Sequence, residues 1–148
     1  MKKASRIILA ALLSMASLAA SVSCGDRIVT LDKLPDAAQA FIKEHFSEVA
    51  VSYVKQDREN LVSTYEVVLQ DGTQLEFNSK GEWDKVDCKT KAVPASLIPA
   101  AIAEYVQKSF PGQWIVKIDR ELLGYDIELS SGLDLKLSKD GKVLSVDD

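Results

Sequence analysis

The apolar residues of this chain change their spacing twice, in the same order both times. In "LPDAAQAFIKEHF" (34–46), Ala38, Phe41, Ile42 and Phe46 recur at steps of three and four, the period of a helix with one buried stripe. In "VPASLIPAAIAEYVQKSF" (93–110) the stripe is Ile98, Ile102, Tyr105, Val106 and Phe110. Pro35 is tolerated in a first helical turn because its missing N–H has no intrahelical partner there. Pro94 and Pro99 predict a preceding turn or a kink at the second helix.

After each helix the period becomes two, the mark of strands with one buried face. Ala50, Ser52 and Val54 correspond to Trp114, Val116 and Ile118; Tyr65, Val67 and Leu69 to Tyr125, Ile127 and Leu129; Leu75 and Phe77 to Leu135 and Leu137. These positions are expected to face the helices. "QDGT", "SSGL", "SKGE" and "KDGK" read as hairpin turns, with Gly supplying a positive φ. "YEVVLQDGTQLEFNSKGEWDKVD" (65–87) is echoed by "YDIELSSGLDLKLSKDGKVLSVD" (125–147), so the chain reads as two copies of one helix followed by a four-stranded antiparallel meander. The expected boundaries are a signal peptide over 1–23, a linker over 24–33, and repeats over 34–88 and 89–148.

One copy alone is too small for a secure core. The expected architecture is therefore α+β, with both helices on one face of a roughly eight-stranded sheet and the other face open. Alternation places Tyr53, Glu66, Val68, Glu76 and Trp83 on that face in the first copy, with Val51 beside them, and Ile115, Glu128 and Val143 in the second. Aromatic and aliphatic side chains among carboxylates are what protein-binding surfaces use. Tyr53 and Trp83 equally suit a covering role at gaps in the sheet or at the junction of the copies.

The N-terminus adds a compartment. Lys2, Lys3 and Arg6 precede "IILAALLSMASLAA" and a run of small residues before Cys24, the layout of a secretory signal. "SVSC" fits ordinary signal-peptidase cleavage and also a bacterial lipobox, which would make Cys24 the lipidated first residue. Under plain secretion Cys24 is free to pair with Cys88. Removal of residues 1–23 takes away three basic residues and leaves 15 basic against 22 acidic, a net charge of −7. Such a balance excludes the basic surface that nucleic-acid binding requires.

The stretches "LP", "FIKEHF", "YEVVLQDGTQLEFNSKGEW" and "SFPGQWIVKIDRELLGYDIELSSG" resemble the PepSY-like family of exported bacterial proteins, typical of Bacteroidetes and related in fold to beta-lactamase inhibitor protein. The resemblance spans the chain after the signal. It implies a tandem helix-plus-four-strand repeat, residence in the periplasm or at the cell surface, and a binding or inhibitory role.

Candidate chemistry is sparse. His45 is the only histidine, and its place at a helix end reads as structural; without a second His or a CxxC there is no zinc or redox ligand set. No G-x-S-x-G elbow is present, and the glycines are spaced as turns. Glu66, Glu76, Asp126 and Glu128 could approach one another across the open face, as an acid/base pair or a calcium site requires, although alternating charges usually mark a solvated strand. The expectation is a non-enzymatic binding module without cofactor or metal, recognising an envelope or extracellular protein or peptide and touching membrane only through lipid on Cys24. The alternative is a small-ligand or metal-ion sensor using the acidic face.

Overall fold

The computed structural model describes residues 25–147; the signal segment 1–23 and Cys24 lie outside the described residues. Two helices, α1 (Asp36–His45) and α2 (Ala100–Ser109), accompany nine strands: β1 (Arg27–Val29), β2 (Val51–Glu59), β3 (Val62–Leu69), β4 (Gln74–Phe77), β5 (Trp83–Asp87), β6 (Ile115–Arg120), β7 (Gly124–Leu129), β8 (Asp134–Ser138) and β9 (Val143–Asp147). All nine form one antiparallel sheet in chain order. The ninth strand comes from residues 24–33, expected as linker: Arg27–Val29 pairs with β2 along the edge.

The core lies between the helices and one sheet face. Ala38, Ile42 and Phe46 of the first helical segment and Ile102 and Val106 of α2 are buried against Val54, Val67, Leu69, Leu75, Phe77, Val86, Ile118, Ile127, Leu129, Leu135 and Leu137. A fully buried side chain of this size contributes about 1.5–3 kcal/mol, so this single continuous cluster supplies most of the cohesion. Strands β5 and β6 join its halves through Lys85↔Asp119, Val86↔Ile118 and Asp87↔Lys117.

Pro35 and Pro99 occupy the N-cap positions, where a proline gives up no helical bond. Their carbonyls accept from Ala38 and Gln39, and from Ile102 and Ala103. Pro94 opens a separate 3-10 turn, Ala95–Leu97, rather than a kink within α2. Gly81 combines a φ of +83° with close approach, since a Cβ there would lie 2.8 Å from Pro35 Cβ and 2.9 Å from Ala38 N. The β4–β5 turn therefore seats against the start of α1 only with glycine at this point.

Four bulges overturn part of the expected alternation. Between Val51 and Tyr53, and between Ile115 and Lys117, one extra residue sits opposite the Leu69–Val68 and Leu129–Glu128 steps. The same occurs between Trp83 and Lys85 opposite Phe77–Glu76, and between Val143 and Ser145 opposite Leu137–Lys136. An inserted residue reverses the facing of everything on one side of it. Val51, Ile115, Trp83 and Val143 therefore lie with the core, not on the open face where strict alternation put them. Trp114, expected beneath the helices, is exposed, and its Nε1–H donates to the Thr90 carbonyl at 3.1 Å.

Candidate functional site

With the bulges in place, two rows of side chains cross the open face. The first runs Ile28, Lys55, Glu66, Glu76, Lys85, Asp119, Asp126, Lys136, Ser145, each paired with the next across adjacent strands. The second runs Tyr53, Val68, Gln74, Asp87, Lys117, Glu128, Asp134, Asp147. Of the sequence-derived candidates, Tyr53, Val68, Glu66, Glu76 and Glu128 stand here. Trp83, Ile115 and Val143 do not.

Lysines neutralise like-charged neighbours along the first row. Glu66 and Glu76 are adjacent, as are Asp119 and Asp126, and each pair is flanked by ammonium groups. Lys85 Nζ lies 3.1 Å from Glu76 and 3.9 Å from Asp119, Lys55 lies 3.8 Å from Glu66, and Lys136 lies 2.6 Å from Asp126. Partial burial alone would lower the Lys85 pKa, but hydrogen bonding and attraction to Glu76 raise it above its ordinary value. Asp119 shows the reverse balance: burial holds its carboxyl above the usual range despite Lys117 and Lys85 beside it. For Asp87, the Lys89 ammonium 2.6 Å away outweighs burial, and the pKa falls.

The halves of the face differ. The first row carries four carboxylates against three ammonium groups, and the second carries Asp87, Glu128, Asp134 and Asp147 against Lys117 alone. That leaves a surplus of four negative charges, concentrated toward β7–β9, while Tyr53, Val68 and Gln74 make a neutral corner. Two shallow concavities lie on the face, both with more carboxylates than lysines. One is lined by Lys55, Asp57, Thr64, Glu66, Glu76 and Asp84, the other by Lys117, Asp119, Asp126, Asp134, Lys136 and Asp147. Among the described residues no group of three His, Cys, Asp or Glu is gathered to hold a metal ion.

The sequence-derived candidates omitted two features. Arg120 lies 4.0 Å over the Trp83 ring and donates from Nη1 to the Trp83 carbonyl at 3.4 Å, clamping β5 to the second half. An Arg at the end of an alternating strand gives no sign of that partner. The second feature, the row of alternating lysine and carboxylate pairs, was present in the alternation but visible only once strand register was known. His45, for its part, rests on the Phe41 ring with centroids 4.7 Å apart, and its Nδ1 is 3.4 Å from Ser96 Oγ. It belongs to the helical layer, away from the charged rows.

Cys88 is a free, buried thiol raised to about 11 by burial. It leaves β5 beside Val116, whereas Gly25 lies at the other end of the sheet beside Asp57–Asn60. Cys24, the partner expected for Cys88 under plain secretion, lies outside the described residues.

A helix-backed sheet with a charged open face is the class this geometry defines. Residues 63–145 match the family described as "Putative beta-lactamase-inhibitor-like, PepSY-like", and the chain belongs to this PepSY-like family. Similar solved structures come from Bacteroides. A "putative periplasmic protein of unknown function" from Bacteroides vulgatus is 41% identical, with 84% of this chain and 100% of that chain covered and a TM-score of 0.79. A second Bacteroides vulgatus protein, described as a "putative periplasmic protein" of the DUF2874 family, is 34% identical over 85% of this chain and 99% of that one, with a TM-score of 0.80. A "putative calcium-regulated periplasmic protein" from Bacteroides thetaiotaomicron is 36% identical over 83% and 97%, with a TM-score of 0.79. No curated protein matches the chain.

Proposed function

We propose that this protein is a non-enzymatic, exported binding module, built from two copies of a helix-plus-four-strand unit, that recognises a basic protein or peptide of the cell envelope through its open sheet face. The observation that carries this reading is the pair of ordered charged rows on a face that no described element covers, with its surplus of four carboxylates. The neutral corner at Tyr53 and Val68 supplies the apolar contact that such a partner would bury. Periplasmic residence draws support from the three Bacteroides relatives. Inhibition, named in the family description, is one consequence that such binding would have.

The test is affinity capture from envelope extract with the natural chain, with Tyr53→Ala/Val68→Ser, with Glu128→Lys/Asp134→Lys, and with Glu104→Ala/Gln107→Ala on the helical side. A partner held by the natural chain and the helical-side variant but released by both open-face variants supports the reading. A partner insensitive to the open-face changes sinks it.

A second reading has its own observation. Asp119, Asp126, Asp134 and Asp147 line one concavity together with Lys117 and Lys136, and one relative is described as calcium-regulated. No three of these carboxylates are gathered into a ligand set among the described residues, so a cation there would have to draw them together. A calcium-dependent rise in melting temperature, abolished by Asp126→Asn/Asp134→Asn, supports ion sensing; an unchanged melting temperature refutes it.

A further inference from the structure

We propose that the end of the sheet bearing the β2–β3 and β6–β7 turns faces a lipid bilayer, with Leu61, Leu122 and Leu123 entering its interfacial layer. These three are the most exposed large hydrophobic residues among those described, at 85%, 87% and 75%. Both turns leave the same end of the sheet, because β2 and β6 are separated by four antiparallel steps and so run in the same direction. The β2–β3 ribbon continues through Asp57↔Thr64, Arg58↔Ser63 and Glu59↔Val62 after β4 has ended at Tyr65↔Phe77. Its tip therefore stands clear of the helices and of the rest of the sheet.

Turn geometry does not explain these leucines. Asn60 and Leu61 have φ of 48° and 68°, a left-handed pair for which Asn-Gly is the favoured sequence. A leucine held there costs roughly 1–2 kcal/mol relative to right-handed backbone, and it gains no burial in return. The two tips nevertheless share one pattern, Asp57-Arg58-Glu59-Asn60-Leu61 and Asp119-Arg120-Glu121-Leu122-Leu123. Core positions repeat between the halves because both must pack; exposed tips have no such reason. A contact made by both tips supplies one.

A lipid surface fits better than a charged partner. Each tip sets one Arg against an Asp and a Glu beside its leucines, a net of one negative charge, so the contact rests on the leucines and not on charge attraction. The N-terminal side of the chain arrives at the same place: Gly25 and Asp26 share a surface depression with Asp57, Arg58, Glu59 and Asn60. Cys24, the candidate for lipidation, is one peptide bond beyond. An acyl anchor tethers without orienting, and apolar tips at the end of the sheet where Gly25 lies fix which end of the molecule meets the membrane.

The full chain, processed in a bacterial host and purified in detergent, is reconstituted on vesicles of phosphatidylethanolamine with a minority of phosphatidylglycerol. Leu61→Cys, Leu122→Cys and, at the opposite end of the sheet, Ser131→Cys are labelled with a bulky hydrophilic maleimide, against the natural chain as background. Labelling at 61 and 122 is expected to be about tenfold slower on vesicles than in detergent, with 131 unchanged, as interfacial insertion requires. Equal rates at all three positions overturn the proposal, as does failure of the chain to remain with the vesicles. Slowing at all three sites means association between protein copies and overturns it too. Protection in native envelopes that vanishes on pure lipid assigns the tips to a protein partner instead.

Discussion

Trp83→Ala separates a core residue from a binding residue. The side chain is 7% exposed, lies opposite Phe77, stands 6.3 Å from the Phe41 ring and is covered by the Arg120 guanidinium at 4.0 Å. Truncating a buried Trp costs about 3–5 kcal/mol through lost transfer energy and residual cavity. Removal of the cation–π contact adds about 0.5–1 kcal/mol, since Arg120 itself is exposed. For a domain of this size the sum corresponds to a fall in melting temperature of about 10–20 °C. The assay is urea unfolding followed by circular dichroism, with Arg120→Ala and Trp83→Phe alongside. Arg120→Ala should reproduce only the smaller contribution, and Trp83→Phe should lose less than Trp83→Ala. A Trp83→Ala loss below about 1 kcal/mol with an unchanged denaturant slope would refute the bulge-driven inward placement, because a surface substitution has that magnitude.

Three further outcomes follow from local geometry. Gly124→Ala drives a Cβ into the Leu137 carbonyl across the β7–β8 pair and should lower stability by at least about 2 kcal/mol through overpacking; thermal unfolding reads it, and a neutral variant would mean the pairing there is looser than described. The Cys88 thiol, raised to about 11 by burial, should resist a thiol reagent at mildly alkaline pH in the folded chain and react fully in urea; prompt reaction without denaturant contradicts its burial. Asp71 is held below its ordinary 3.8, first by the Thr73 backbone N–H and also by Lys91. Its stabilisation is therefore present above the unfolded pKa and lost as pH falls through the folded one. Asp71→Asn should flatten the acid limb of a urea stability profile, and an acid limb as steep as that of the natural chain counts against the assignment.

The sheet and its helical backing were legible because period-two and helical stripes depend on burial, and burial dominates the residue choice at Val67, Leu75, Ile127 and Leu135. Bulges carry no comparable signal. Nothing in "GEWDKVD" marks Asp84 as the extra residue, so Trp83 reads outward by counting and points inward once paired with Phe77. Ile115 and Val143 were misplaced for the same reason. The edge strand Arg27–Val29 escaped notice because three residues are too few for a period. The charged row was visible as alternation, but which lysine meets which carboxylate depends on register, and register is a property of the whole sheet.

The internal ion pairs of the open face also constrain what can bind there. Lys55, Lys85 and Lys136 are already engaged with Asp26, Glu76 and Asp126, so a partner that competes for them must first replace contacts of equal kind. Exposed pairs of this sort are worth little, about 0–1 kcal/mol each. The net gain comes instead from Glu128, Asp134 and Asp147, which share only Lys117 in their row. A basic segment laid across β7–β9 thus gains charge contacts without displacing any, and it can extend toward Tyr53 and Val68 for apolar burial. Rim charges act mainly on association rate. Added salt should therefore slow capture of the natural chain more than that of Glu128→Lys/Asp134→Lys, and equal salt dependence in the two would remove the charge argument while leaving the apolar corner intact.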